Sequence, residues 1–136
     1  MKIYNNEYLS SLIENAKNSQ IKRAHLNLHT SYDEKVQRLF IALTKGSYVS
    51  PHYHALRHQW EMFVVISGIL KVLHYNSKGI VCSEILVGDN QPTKVIEFSP
   101  YDIHSVECIS DTALMLEIKE GPYIEASSKV LVKIEK

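Results

Sequence analysis

Two kinds of hydrophobic pattern divide the chain, and the first lies close to the N-terminus. There, apolar residues recur three and four positions apart, which is the spacing that places side chains along one face of a helix. The residues with this spacing are Leu9, Leu12, Ile13 and Ala16. The pattern predicts an amphipathic helix over residues 6–18, with Asn6 as its N-cap and its end near Asn18. We expect this helix to lie against the outside of a domain.

From residue 38 onward the pattern changes to short apolar segments with turn residues between most of them. The predicted strands are residues 39–44, 49–54, 62–67, 70–76, 80–87, 93–98, 103–108, 113–119 and 129–134. Many short strands with frequent turns are typical of a β-sandwich or a β-barrel. No second helical pattern interrupts them, so a parallel α/β sheet is not indicated.

Residues 21–29 alternate weakly between polar and apolar positions, which is typical of an edge strand or an extended arm. One face of this segment would carry the apolar side chains of Ala24, Leu26 and Leu28. The other face would carry a polar set, Arg23, His25, Asn27 and His29. This polar face is either a solvent-facing edge or a surface on which Arg23 and Asn27 grip a sugar or an anionic group.

Composition and charge exclude several classes of protein. A chain of 136 residues is long enough for one domain with a hydrophobic core. The 15 basic and 15 acidic residues balance, so neither a nucleic-acid partner nor an anionic membrane surface is indicated. No apolar run approaches the ~20 residues of a membrane span, and the N-terminal residues lack the apolar stretch of a signal peptide.

The two cysteines, Cys82 and Cys108, have no CxxC spacing and suggest no disulfide framework, which predicts a reducing, cytoplasmic environment. Cys82 stands among Ile80, Val81 and Ile85, so we expect it in the core. Cys108 is expected to be a small buried apolar side chain.

Candidate chemistry is concentrated around the second and third predicted strands. In a β-strand His52 and His54 point to the same face, while Tyr53 points to the other. Pro51 suits the start of that strand, because its missing N–H costs little there. Glu61 stands just before the next strand, and a turn between the two strands would bring its carboxylate beside the imidazoles. Two histidines and a carboxylate suit a divalent metal such as zinc, iron, nickel or manganese.

The same stretch resembles the first sequence motif of the cupin superfamily, through Gly46, His52, His54, Glu61 and Gly68. Both glycine spacings match, whereas six residues separate His54 from Glu61 in place of three or four, which implies a longer turn. More narrowly, the chain resembles the WbuC family of cupin-fold metalloproteins over roughly residues 20–120. The matching stretches are residues 23–29, 36–38, 47–54 and 60–61.

This resemblance implies an all-β fold, the cupin-type double-stranded β-helix or jelly-roll barrel, with a short N-terminal α-helix. We expect residues 1–20 to form the helix packed on the domain and residues 21–136 to form a single cupin domain. Jelly-roll cupins often pair by their sheet edges, so the resemblance also implies a homodimer. The WbuC family is associated with bacterial O-antigen gene clusters, which implies a role in surface polysaccharide and lipopolysaccharide biosynthesis.

His104 is the predicted fourth metal ligand. It follows a turn at Pro100 and opens a strand, and it resembles the second cupin motif through that proline and histidine alone. Strand parity places His104, Val106 and Cys108 on one face and turns Glu107 toward solvent. His58, in the long turn after His54, is the rival ligand. The remaining histidines are expected to be ordinary hydrogen-bonded residues, namely His25, His29 and His74.

Three functions fit these features. The first is a metal-dependent enzyme that acts on a sugar or nucleotide-sugar. It would be an isomerase, an epimerase or a lyase-like enzyme, or a dioxygenase if the metal is iron. His58 and Tyr101 are the candidate bases. The second is a module that binds a sugar-like ligand through a metal without turning it over. The third is a metal-free epimerase or ketoisomerase in which a histidine is the base. Candidate substrate contacts are Arg23, Asn27, Arg38 and Tyr48, with Trp60 as a further wall residue.

Overall fold

The structure is a computed structural model and describes residues 1–134. Within that range the chain forms one α-helix, α1 (Asn6–Lys17), and a series of short strands. The strands are β1 (Arg23–Asn27), β2 (Val36–Thr44), β3 (Tyr48–Tyr53), β4 (Glu61–Ser67), β5 (Ile69–Tyr75), β6 (Val81–Gly88), β7 (Val95–Phe98), β8 (Ile103–Cys108), β9 (Thr112–Glu120) and β10 (Val130–Leu131). A single 3₁₀ turn, Glu125–Ser127, precedes β10.

The strands form two antiparallel five-stranded sheets that face each other. The first sheet has the order β1-β2-β9-β4-β7, and the second has the order β10-β3-β8-β5-β6. Alternate residues of the strands point between the sheets and form the main core, which includes Leu39, Ile41, Phe63, Val72, Val87 and Met115. This arrangement confirms the jelly-roll fold expected from the sequence.

The helix covers the outer face of the first sheet. Leu9, Leu12 and Ala16 are buried there against β2 and β9, where they meet Phe40, Ala42 and Leu114. The N-cap is Asn5 and not the predicted Asn6, since the Asn5 side chain accepts a 2.9 Å hydrogen bond from the Tyr8 backbone N–H. Because α1 covers one face and the second sheet covers the other, the centre of β2 is buried on both sides.

β1 is the edge strand of the first sheet, paired with β2 from Arg23↔Leu43 to Asn27↔Leu39. Its apolar residues Ala24 and Leu26 pack beneath α1, as the alternation predicts. The polar residues therefore point toward the interior of the barrel. There His25 and Asn27 remain exposed and also line a cavity.

The connection from β3 to β4 differs from the expected turn between neighbouring strands. β3 lies in the second sheet and β4 in the first, so the chain crosses the barrel between His54 and Glu61. Pro51 does not start β3 but lies inside it, where the pairing with β8 shifts register between Val49 and His52. A register shift tolerates proline because a ladder hydrogen bond is already interrupted there.

Two further expectations about the second sheet are wrong. Cys82 is exposed and not part of the core, because β6 is an edge strand whose first four residues all face solvent. The last predicted strand shortens to β10, which pairs Val130 with Tyr53 and Leu131 with His52. The final two residues of the predicted cupin domain lie outside the described range.

The closing glycine of the histidine motif, Gly68, forms the tight turn between β4 and β5. Its φ of 78° lies in the left-handed region, and a Cβ atom there would collide with the backbone of Thr112 and Ala113. The close approach of β4 to β9 at this turn therefore requires glycine. Among residues 1–134, the helix is too short and too polar to cross a lipid bilayer.

We expect Leu12→Ala to lower the free energy of unfolding by about 2–4 kcal/mol, because it removes a side chain that is buried between α1 and the first sheet. Urea denaturation followed by circular dichroism measures the change. Asn15→Ala on the exposed face of the same helix is the matched control and should stay within about 0.5 kcal/mol of the unmodified protein. Equal losses in the two variants would contradict the packing described here.

Candidate metal centre and its cavity

An open cavity of about 570 Å³ lies between the two sheets. Its size falls in the range of small-molecule sites. The first sheet supplies most of its wall, and the second sheet contributes Val49, His52 and Val106. The crossing between β3 and β4 and the segment before β10 complete the rim, the latter through Pro122, Tyr123, Ser128 and Lys129.

Four side chains meet beside this cavity: His52, His54 and Glu61 line it, and His104 is completely buried next to them. One ligand atom from each lies within 4.8 Å of all the others. His52 and His104 are directly paired residues of β3 and β8, and Glu61 reaches them from the opposite sheet. The Glu61 carboxylate lies 3.2 Å from His54 Nε2 through Oε2 and 3.2 Å from His104 Nε2 through Oε1. These are the four residues that the sequence grouped.

Backbone carbonyl groups orient all three imidazoles. His52 Nδ1 lies 2.8 Å from the Ser50 carbonyl oxygen, and His104 Nδ1 lies 2.8 Å from that of Asp102. His54 Nδ1 makes the equivalent contact with Ser128. A carbonyl can only accept, so each Nδ1 carries the proton and each Nε2 presents a lone pair to the centre of the cluster. Outer hydrogen bonds of this kind orient the histidine ligands of metal sites.

Aromatic packing holds the most buried of these rings. The His104 ring lies parallel to the Phe98 ring, with centroids 3.6 Å apart and 7° between the planes. His104 is completely buried, so its orientation is set by Phe98 on one side and by Asp102 at Nδ1. Three of the four side chains sit in or at the end of strands, which keeps their positions rigid.

The donor set fits a divalent metal ion. His54 Nε2 is buried and has no hydrogen-bond partner within the described chain, although it lies 3.2 Å from Glu61 Oε2. Lone pairs of neutral imidazoles that face a carboxylate repel it unless a proton or a cation lies between them. Three imidazole nitrogens and one carboxylate match the ligand types that zinc and other first-row metals take in proteins.

The electrostatics of the cluster follow from burial and mutual contact. Burial alone would raise the pKa of Glu61, but in metal-free protein hydrogen bonds from His104 and His54, which require a proton on Nε2, lower it on balance. Burial would likewise lower the pKa of His54, and the Glu61 carboxylate raises it overall. For His52, burial first and His104 second lower the pKa to about 4, so this ring is neutral at physiological pH. A neutral ring is the form that binds metal.

Glu117 is a cavity residue that the sequence analysis missed. It lies in the middle of β9, only 8% exposed, opposite Phe63 of β4. Within residues 1–134 nothing donates a hydrogen bond to it, and its nearest ionic contact is Lys119 Nζ at 3.6 Å. Burial first and the negative charge of Glu61 second raise the pKa of its carboxyl group. The sequence contains one signal for this residue, which is a carboxylate between the apolar residues Leu116 and Ile118 of a predicted strand.

The other candidate residues divide into two groups. Arg23, Asn27 and Trp60 line the cavity, as do His25 and His29. Arg38 and Tyr48 are not part of the cavity wall, and neither are His58 and Tyr101. His58 Nε2 lies 3.2 Å from the Pro122 carbonyl oxygen, and Tyr101 is 62% exposed and stacks on Tyr53. The structure therefore does not bring the two candidate bases to the cluster.

In metal-free protein, we expect Glu61→Gln to lower the pKa of His54, because the amide removes the charge that offsets the burial of this ring. NMR titration of the histidine ring protons measures the change. Glu97→Gln, an exposed carboxylate on β7, is the matched control and should leave the His54 titration unaltered. A His54 pKa that stays the same or rises in Glu61→Gln would contradict the contact.

Solved structures share this architecture. The capsular polysaccharide assembling protein CapF from Staphylococcus aureus aligns with a TM-score of 0.66 and 15% identity, over 82% of this chain and 32% of CapF. KdgF from a Halomonas species aligns with a TM-score of 0.59 and 10% identity, over 76% of this chain and 83% of KdgF. A cupin superfamily protein from Desulfitobacterium hafniense aligns with a TM-score of 0.55 and 16% identity, over 72% and 76% of the two chains.

These likenesses show a cupin fold, and this chain spans about a third of the length of CapF. No curated protein shows a significant sequence match. A family model described as "Domain of unknown function (DUF6016)" matches residues 4–87, from the start of the helix region through β6. That range is more than half of the chain and includes His52, His54 and Glu61. The chain therefore belongs to the DUF6016 family and folds as a cupin.

Proposed function

We propose that this protein is a metal-binding cupin enzyme that acts on a small sugar-like molecule held in its cavity. The observation that carries the proposal is the orientation of three imidazole Nε2 atoms and one carboxylate toward a common point in the cavity wall. The point adjoins an open cavity, so a ligand has access to it. Access from one side distinguishes a catalytic metal site from a closed structural one.

His52, His54, Glu61 and His104 would hold the ion, which is zinc, iron, nickel or manganese by the chemistry of these donors. A bound divalent ion would polarise a carbonyl or hydroxyl oxygen of the ligand. The protein itself supplies the fixed orientation of the imidazoles and the largely apolar lining formed by residues such as Leu39, Phe63 and Met115.

Glu117 supports an enzyme more than a simple binding protein. Its carboxyl group faces the cavity without a hydrogen-bond partner in the described chain, and its raised pKa allows it to hold and to release a proton near neutral pH. Isomerases and epimerases need such a group beside the reacting carbon. The runner-up is a metal-dependent sugar-binding module, which is favoured by the placement of His58 and Tyr101 outside the cavity wall.

We further infer that the protein belongs to the WbuC type of cupin and acts in bacterial surface polysaccharide biosynthesis. The support is the set of matching stretches around the histidine motif, together with a fold shared with a protein described as assembling capsular polysaccharide. The substrate in this proposal is a sugar or a nucleotide-sugar.

Purified protein should contain about one divalent ion per chain, and His104→Ala should lose it, because this substitution removes a completely buried donor. Elemental analysis by mass spectrometry measures the content. His58→Ala is the matched control, since this imidazole lies outside the cavity, and it should retain the metal. Unmodified protein that binds none of the four metals after loading would contradict the proposal and leave the metal-free epimerase.

With a panel of nucleotide-sugars as substrates, we expect Glu117→Gln to lower kcat by about a hundredfold with little change in KM, because the amide cannot transfer a proton. Product formation is followed by chromatography and mass spectrometry. Glu97→Gln removes an exposed carboxylate and should retain full activity. Saturable binding of a sugar without turnover of any member of the panel would favour the binding module.

A further inference from the structure

The cavity wall carries a second group of polar side chains, apart from the four clustered residues. β1 contributes Arg23 and His25, β9 contributes Lys119, and the segment before β10 contributes Lys129. All four are basic. They lie in the part of the wall formed by the first sheet and at the rim.

Arg23 has almost no partner for its charge. Within the described chain, the Arg23 side chain makes one hydrogen bond, a long one of 3.4 Å from Nη1 to the Tyr48 carbonyl oxygen. Among residues 1–134 no carboxylate lies within ion-pair distance of the guanidinium group. Partial burial in the wall lowers its pKa, which shows that the folded protein loses hydration of this charge without a counter-ion. An acidic group of a ligand would offset that loss.

Lys119 lines the same cavity at another level, because it pairs with Gln37 of β2 whereas Arg23 pairs with Leu43. Its Nζ lies 4.5 Å from the centroid of the Tyr123 ring and 3.6 Å from Glu117 Oε2. Burial lowers the pKa of His25, and the positive charges of Arg23 and Lys119 lower it further. In the strand register His25, which pairs with Ile41, lies between the levels of Arg23 and Lys119, so positive charge extends along this wall of the cavity.

The acidic residues of the wall do not cancel this positive field. Glu61 is engaged with His54 and His104, and Glu120 accepts a 3.2 Å hydrogen bond from Trp60 Nε1. Glu117 is the nearest carboxyl group to Lys119, but burial favours its neutral form. The wall around Arg23 and Lys119 is therefore positive.

We infer that the cavity takes a hydroxylated ligand with a carboxylate or phosphate group, which Arg23 or Lys119 binds while the rest of the ligand reaches the histidine cluster. This inference rests on the proposed function, since it names the ligand class of the same cavity. Guanidinium and ammonium groups are the usual partners of both acids. Asn27, on the same face of β1 as Arg23, offers its amide to a ligand hydroxyl group.

The strand register places Lys119 beside the cluster. Lys119 of β9 is directly opposite Glu61 of β4, so the cation that binds the acid is a lateral neighbour of a residue in the cluster. Directly paired residues of antiparallel strands lie about 5 Å apart at their Cα atoms. A hexose-sized molecule bridges that separation. One ligand can therefore contact Lys119 and the cluster together.

Trp60 provides a direct measurement of binding. It is the only tryptophan and it lines the cavity, so its fluorescence should respond to an occupant. The probes are glucuronate and glucose 6-phosphate, each compared with glucose, titrated into zinc-loaded and into metal-free protein. We expect at least one acid to bind at least about tenfold more tightly than glucose, which is the effect of one charged hydrogen bond. The acid with the larger preference identifies a carboxylate or a phosphate as the natural group.

At least one of the variants Arg23→Met and Lys119→Met should weaken binding of the preferred acid about tenfold and leave glucose binding unchanged, and the affected variant identifies the cation that holds the acid. The matched controls are Arg57→Met and Lys45→Met, which remove the same charges from exposed positions outside the cavity. Urea unfolding tests whether each variant is folded. Salt dependence tests the same inference in the unmodified protein. Added salt should weaken binding of the acid and leave binding of glucose unchanged.

Several results would overturn the inference. They are equal affinities for the acids and for glucose, no saturation by any probe at millimolar concentrations, or acid binding that neither Arg23→Met nor Lys119→Met weakens. Acid binding that depends on His104 and zinc alone would place the acid on the cluster, which refutes the inference and leaves the proposed metal function intact. Preferential acid binding by a protein that takes up no metal would support acid recognition by the cavity and refute the proposed metal function.

Discussion

The site depends on the hydrogen bonds from three imidazole Nδ1 atoms to backbone carbonyl groups. Each bond fixes the tautomer of its ring, so that the three Nε2 lone pairs face a buried carboxylate. This arrangement is unfavourable by itself, and a cation relieves it. Two of the three carbonyls stand two residues before their histidine, at Ser50 and Asp102. The third, Ser128, lies far along the chain and connects the cluster to the rim of the cavity.

The barrel makes this convergence possible because its two sheets contribute different parts. The second sheet pairs His52 with His104 on neighbouring strands, and the first sheet supplies Glu61 from the opposite side. α1 covers the outer face of the first sheet and packs on its apolar residues. The inner faces of β1 and β9 carry polar residues around the cavity. Stability and function are thus separated: α1 packs on the outside, and the polar residues point inward.

The polar wall itself has two regions with opposite character. Around Glu61 a negative charge faces imidazole nitrogen atoms, an arrangement that favours a cation. Around Arg23 and Lys119 positive charge is in excess, since burial weakens the charge of Glu117. Lys119 adjoins the cluster, since it pairs with Glu61, and Arg23 lies further along the first sheet. A ligand that reaches the cluster would therefore also meet positive charge.

Local sequence alone determined which residues share a face. Alternation in a strand placed His52 with His54, and His104 with Val106 and Cys108, because that period is set by the backbone whatever the strand pairs with. Only the tertiary structure decided what those faces meet. It placed Glu61 in the opposing sheet, turned the polar face of β1 toward the cavity, made Glu117 a cavity residue and left Cys82 exposed on an edge. These outcomes depend on which strands become neighbours across long separations in sequence, and no local periodicity contains that information.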